Sequence, residues 1–227
     1  APGDPSVRAN ILRCRSWQAM FEWDFAACAA LDREALECSR LAGDLRQACQ
    51  STYDLAYDLM HLADYERAER CFLDALGEAR RLGAEGLEYL IEHNLSLVLH
   101  RLGRTEEAVV MQRRMIQTAA ERQDRVGKAH AHHYLGIIFH ESGALDLAAL
   151  ELEKSLTHTA ALSIRWDCLS RLGLIALANG NLALARLRVA EAAQGLAAHK
   201  NAEQGDMYIR LASIELAHAT GDRKSVV

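Results

Sequence analysis

The sequence predicts an all-α protein: an α-solenoid of antiparallel helix pairs, about eleven helices wound into a right-handed superhelix. The first observation behind this is a recurring turn position. Trp23, Ala63, Gly103, Gly143, Gly180 and Gly221 follow one another at spacings of 40, 40, 40, 37 and 41 residues. The second is that small residues return at the same phase around it. Ala68, Ala108, Ala148 and Ala185 stand five positions after the turn, and Leu55-Ala56, Leu95-Ser96, Leu135-Gly136 and Leu172-Gly173 stand just before it. Small side chains let two helix backbones approach to about 8–10 Å. The third is composition. Leucine and alanine are abundant, and the only prolines are Pro2 and Pro5, which favours helix throughout.

The most regular copy is His132–Leu156. It holds Leu135-Gly136, Phe139 three residues later, the turn glycine Gly143 and Ala148. With Ala68-x-x-x-Phe72, this pattern resembles the tetratricopeptide (TPR) repeat, over about residues 47–200 and more weakly on both flanks. Thr52, Glu92, His132 and Leu169 stand where that motif has tryptophan, and its closing proline is absent. The period also exceeds the usual ~34 residues, and HEAT or armadillo units share it, although they do not account for the repeated small residues. The six extra residues are worth nearly two helical turns. They are expected to make the second helix of each pair run on.

Taken in order, residues 1–5 are expected to form a disordered leader. Residues 6–221 form one repeat domain, with repeats 6–44, 45–84, 85–124, 125–162, 163–201 and a partial 202–221, followed by a tail at 222–227. The first repeat pairs helices near 6–22 and 25–42, with Asp24 placed to cap the second. Helices near 45–62 and 65–82 follow, with Asp64 at their turn. Then come 85–102 and 105–122, where Thr105, Glu106 and Glu107 suit a helix N-terminus. The fourth pair spans 125–142 and 145–160, the fifth 163–179 and 182–199. A last helix near 203–219 ends at Gly221-Asp222 without a partner. Its Tyr208, Ile209, Leu211, Ile214 and Leu216 are more apolar surface than one neighbour covers, so this end is expected to pack on a second copy (self-association), on a partner or on the remainder of a larger protein.

Charge and cysteine usage narrow the function. A net charge of −5 and a pI near 6.1 argue against a nucleic-acid surface. No apolar run reaches the length of a membrane span. Six cysteines without a C-x-x-C pair read as reduced thiols of a cytoplasmic protein. The start Ala-Pro-Gly-Asp-Pro, with no initiator Met, reads as a piece excised from something larger or as a processed chain. No P-loop, G-x-G-x-x-G or G-x-S-x-G occurs, so the expectation is a non-enzyme without cofactor.

In TPR arrays the first helix of each repeat lines a concave groove. The resemblance therefore assigns the groove to Tyr53, Tyr57 and His61; Leu90, His93, Asn94, Leu97, His100 and Arg101; His130, His133, Tyr134, Ile137 and His140; and Arg171, with Tyr208 and Arg210 in the sixth repeat. The spacing agrees: His130, His133, Ile137 and His140 fall on one stripe of a helix, and Leu90, His93, Leu97 and His100 repeat it 40 residues earlier. The family's basic clamp for a C-terminal carboxylate is matched only at Asn94 and Arg171. Tyr53 and His130 stand where lysines belong, so binding of a chaperone tail is not expected. The histidines also suggest a metal site, but no Cys or carboxylate completes a four-ligand set. Hydrogen-bonded or solvated groove histidines are the simpler reading, and no metal is expected.

The expected function is a peptide- or protein-binding scaffold that uses this groove. The alternative is a regulatory arm of a larger bacterial signalling protein, a STAND-type transcription regulator or a protein kinase. Leu172–Arg186 is similar to repeats of such regulators. A histidine-lined metal site is the remote third. Crowded groove histidines would turn the surface cationic near about pH 5.5.

Overall fold

The computed structural model describes residues 3–159, 161–198 and 206–221. Among them it contains eleven α-helices and no strand. They divide into two compact units, Ala1–Met111 and Gln112–Val227. The first contains α1 (Pro5–Phe21), α2 (Phe25–Leu41), α3 (Leu45–His61), α4 (Tyr65–Leu82) and α5 (Glu85–Arg101), and the boundary falls within α6 (Thr105–Glu121). The second contains α7 (Arg125–Glu141), α8 (Leu145–His158), α9 (Leu162–Ala178), α10 (Leu182–Ala197) and α11 (Asp206–Thr220). From α1 to α5, and again from α7 to α11, each helix packs on the next. First helices also meet across repeats, α3 on α5, α7 on α9 and α9 on α11.

The turns explain the period. Residues 23, 43, 63, 83, 103, 123 and 143 all have positive φ, one every twenty residues, and Gly180 and Gly221 follow. Each ends a helix in the left-handed conformation, and after each of them up to Gly180 the next backbone N–H reaches back to the preceding helix. Asp44 N donates to Ser39 O at 3.0 Å, and Ala144 N to Phe139 O at 2.9 Å. That same next residue then caps the following helix: Asp24, Asp44, Asp124 and Asn181 accept from Ala27, Gln47, Gly127 and Leu184 backbone N–H groups. One residue to close a helix, one in αL and one to open the next leaves 17 residues for each helix. Six of α1–α7 have 17 residues and α4 has 18. The second helices do not run on, contrary to expectation. The extra length over a shorter TPR unit is shared by both helices of the pair, because both turns are built alike.

Other boundaries shift slightly. Pro5 is the first residue of α1 and Asp4 its cap, so the expected leader reaches no further than Gly3. The expected tail at 222–227, Asp222 included, lies outside the described residues.

The recurring small residues sit where helices cross. Cys28, Ala68, Ala108, Ala148 and Ala185 are fully buried. A Cβ on Gly136 would lie 2.7 Å from Leu152 Cδ2, and one on Gly173 would lie 2.8 Å from Val189 Cγ2. Larger side chains fill the layers between crossings: Phe72, Ile91 and Leu95 in the first unit, Ile138, Leu152 and Leu169 in the second. Gly136→Leu is expected to push α7 and α8 apart and cost about 1–3 kcal/mol by overpacking. An unchanged midpoint of thermal unfolding would contradict the close crossing.

Candidate functional site

The residues expected to line the groove stand on α3 and α5 of the first unit and on α7 and α9 of the second. In the first unit α3 and α5 are joined by Asn94, whose amide donates to Tyr53 Oη at 3.1 Å and to Leu90 O at 3.1 Å. Tyr57, His61 and Phe25 of the neighbouring α2 form an aromatic cluster. Phe25 stacks flat on His61 at 4.3 Å and 6°, and the Tyr57 ring lies 4.5 Å from His61. His61 is exposed, with Phe25 stacked on one face and the Tyr57 ring tilted against it. Burial first, and the Arg101 charge second, push the imidazole down to about 4. It is neutral at physiological pH. Arg101 lies over the Tyr65 ring at 5.8 Å, and His100 Nδ1 pairs with Thr105 Oγ1 at 2.9 Å.

Beneath this surface lies a buried acidic pair. Asp32 of α2 and Asp58 of α3 are hydrogen-bonded to each other, and Ser16 Oγ donates to Asp32 Oδ2 at 2.5 Å. Burial raises Asp58 to about 9, helped by the Asp32 charge, and burial raises Asp32 to about 6 against the Ser16 hydrogen bond. The pair therefore holds one proton near neutral pH.

In the second unit α7, α9 and α11 meet around Asp167. Its Oδ2 pairs with His133 Nε2 at 2.6 Å and accepts from Arg171 Nε at 2.7 Å. Arg171 also approaches His140 Nδ1 at 3.4 Å and lies 3.9 Å over the Tyr208 ring. Burial works to raise Asp167, but the Arg171 charge and the His133 contact more than offset it and hold the carboxyl at about 2. His130 is lowered by burial and then by His133; His140 by burial and then by Arg171.

The expected groove residues therefore divide into two sets. Tyr53, Tyr57, His100, Arg101, His130, His133, Tyr134 and His140 are partly exposed, and His61 and Leu90 are open to solvent. His93, Asn94, Leu97, Ile137 and Arg171 are buried instead. The seven-residue stripe is wider than the face a helix leaves open, so its edge positions turn into the contacts with neighbouring helices. Arg171, 3% exposed, belongs to the Asp167 network and offers nothing to a ligand directly. The onset of positive charge expected near pH 5.5 moves lower for His61, His130 and His140, because burial disfavours their charged forms. Among the described residues no three metal-ligating side chains converge, and no helix is long and apolar enough to cross a membrane.

Sequence reasoning missed Asp167, although its i,i+4 pairing with Arg171 was readable. It also missed the aromatic residues of the first repeat. The 40-residue period carries Tyr57 back to Trp17 and His61 back to Phe21, and both are exposed on α1.

No protein-family model and no curated protein matches the chain. Solved structures do match. NprR in complex with its cognate peptide NprX superposes with a TM-score of 0.80 at 16% identity, over 98% of this chain and 64% of that one. The chain thus spans 64% of the NprR chain's length. A Rap protein complexed with competence and sporulation factor gives 0.61 at 16% identity, covering 97% of this chain and 67% of that one. TTC0263, a thermophilic TPR protein from Thermus thermophilus, gives 0.65 at 20% identity, covering 93% and 98%. With helix pairs closed by recurrent left-handed turns, small buried residues recurring within them and these structural neighbours, the chain has the tetratricopeptide-type helical-repeat fold.

Proposed function

We propose that the chain is a non-enzymatic scaffold that holds a short peptide or protein segment on the open faces of its first helices. The observation that carries this reading is that two structures of the same fold are complexes, NprR with its peptide NprX and Rap with the competence and sporulation factor. The surfaces suit the task. Each unit offers aromatic and imidazole groups fixed from behind by hydrogen bonds, so little side-chain entropy is lost when a ligand settles on them. The second reading places the same capture in a regulatory arm of a larger bacterial signalling protein. The greater length of the NprR chain favours it.

Panning a random-peptide display library against the protein tests peptide capture. An enriched peptide is expected to lose about tenfold in affinity when Tyr57 and Leu90 are both replaced by alanine, or when His140 is. Titration of His61, His130 and His140 should contribute no pH dependence to its affinity from about pH 6.5 to 8, since all three titrate below the ordinary histidine range. Enriched peptides that bind all these variants as they bind the wild type would place recognition elsewhere.

A further inference from the structure

The first repeat diverges most from the motif, yet it carries the most open aromatic surface. Trp17 is 51% exposed, Phe21 60% and Trp23 53%. Soluble proteins seldom leave two tryptophans and a phenylalanine open together unless the patch is used, and tryptophan is the side chain most enriched at binding hot spots. These rings continue into the face already described. Trp23 meets Phe25 edge-on at 6.1 Å, Phe25 stacks on His61, and Tyr57 joins His61 to Tyr53. The linked rings therefore run from the α1–α2 turn through Phe25 onto α3, and Trp17 and Phe21, four residues apart at the end of α1, share a helix stripe next to that turn.

Its electrostatics select the ligand. α1 itself carries Arg8, Arg13 and Arg15 and no acidic residue, so the negative charge beside these rings is at the α1–α2 turn, in the exposed Glu22 and Asp24, within a half-chain of 19 Asp and Glu against 12 Arg. Glu22 stands between Phe21 and Trp23, exposed and without an ion-pair partner among the described residues. The neutral His61 adds no opposing charge. One indole already accepts a cation: the Arg13 guanidinium lies 5.5 Å from the Trp17 ring, anchored by Asp54 at 3.3 Å. Trp23 has no such cation among the described residues. Exposed indoles beside a spare carboxylate attract a lysine or arginine through both the ring quadrupole and the charge.

We propose that the open aromatic face formed by Trp17, Phe21 and Trp23 anchors a cationic segment of a partner, a Lys or Arg side chain held between indole and Glu22 with an apolar neighbour on Phe21. The proposal rests on the peptide-scaffold reading and names the chemistry of the peptide. It commits to a basic peptide rather than to a second copy of this chain, whose own α1 brings Arg8, Arg13 and Arg15 but places two of them in ion pairs with Glu34 and Asp54.

The same library panning decides it. Enriched peptides are expected to carry Lys or Arg beside an aliphatic or aromatic residue. The affinity of such a peptide, measured by calorimetry, should fall about tenfold or more in Trp17→Ala/Trp23→Ala and again in Glu22→Gln. It should fall likewise when the peptide's basic residue is replaced by glutamate, and it should weaken as salt rises. Binding should also quench the protein's tryptophan emission, because Trp166 is buried in the other unit and only Trp17 and Trp23 can respond. All of these side chains are exposed, so the variants should fold. Peptides that are neutral or acidic, or that bind the double variant as tightly as the wild type while losing affinity in Tyr57→Ala/Leu90→Ala or His140→Ala, would overturn this proposal and leave the scaffold reading standing. No enrichment at all would overturn both. Light scattering that shows a dimer converted to monomer by Trp17→Ala would overturn it too, assigning the face to self-association instead.

Discussion

Arg171→Ala is expected to destabilise the protein by about 3–5 kcal/mol, the usual cost of removing one partner from a buried ion pair. Arg171 is 3% exposed, and its charge is what keeps the Asp167 carboxyl at about 2 inside a buried site. Without it Asp167 keeps only the His133 contact and must either stay ionised in a largely buried site or take up a proton, and both are unfavourable. The guanidinium also lies against the Tyr208 ring, so its loss loosens α11 from α9. Arg171→Met with Asp167→Asn should recover much of the loss, because the uncompensated charge disappears while most of the volume remains. Chemical denaturation of the single and double variants measures both. The sign of the pH dependence follows from the depressed carboxyl. The stability it contributes is full above the unfolded value near ~3.9 and fades as pH falls toward about 2. A single variant as stable as the wild type would mean that the Asp167 network is solvated rather than buried.

Asp58→Asn is expected to have the opposite effect, raising stability at alkaline pH. Asp58 and Asp32 have folded-state values of about 9 and about 6, both above the unfolded carboxyl. The folded state therefore binds more protons than the unfolded chain, and stability falls as pH rises through this window. The slope approaches about 1.4 kcal/mol per pH unit for each proton taken up on folding. Asparagine keeps the shape and can still donate to Asp32, but it never has to hold a proton against the solvent. The wild type should lose stability steadily from about pH 6 to 9, while Asp58→Asn loses much less. Parallel curves for the two proteins would show that the carboxyl pair does not share a buried proton.

Much of the fold was legible in the sequence because it is a local code repeated at fixed spacing. Gly143 and Gly180 mark left-handed helix ends, Asp24 marks a cap that follows one, and Ala148 and Gly136 mark close crossings. Each of these signals acts within one turn or one helix pair, and repetition made it readable above noise. The twenty-residue unit was harder to see. Several of its turns carry weak signals, as at Gln123 and Ala63, where a non-glycine residue occupies the left-handed position. The open surface was legible only in outline. A helical stripe says which residues share a face, not where the neighbouring helix ends and solvent begins. Packing between first helices decided that, burying His93, Asn94, Ile137 and Arg171 while leaving Leu90 and His61 outside. It also decided the ionisation of the polar groups. Asp58, Asp32 and Asp167 are chemically alike in sequence, but one is held protonated, one shares that proton and one is held ionised. The difference lies in whether the nearest buried charge is a carboxylate or a guanidinium, and only the tertiary structure brings those charges together.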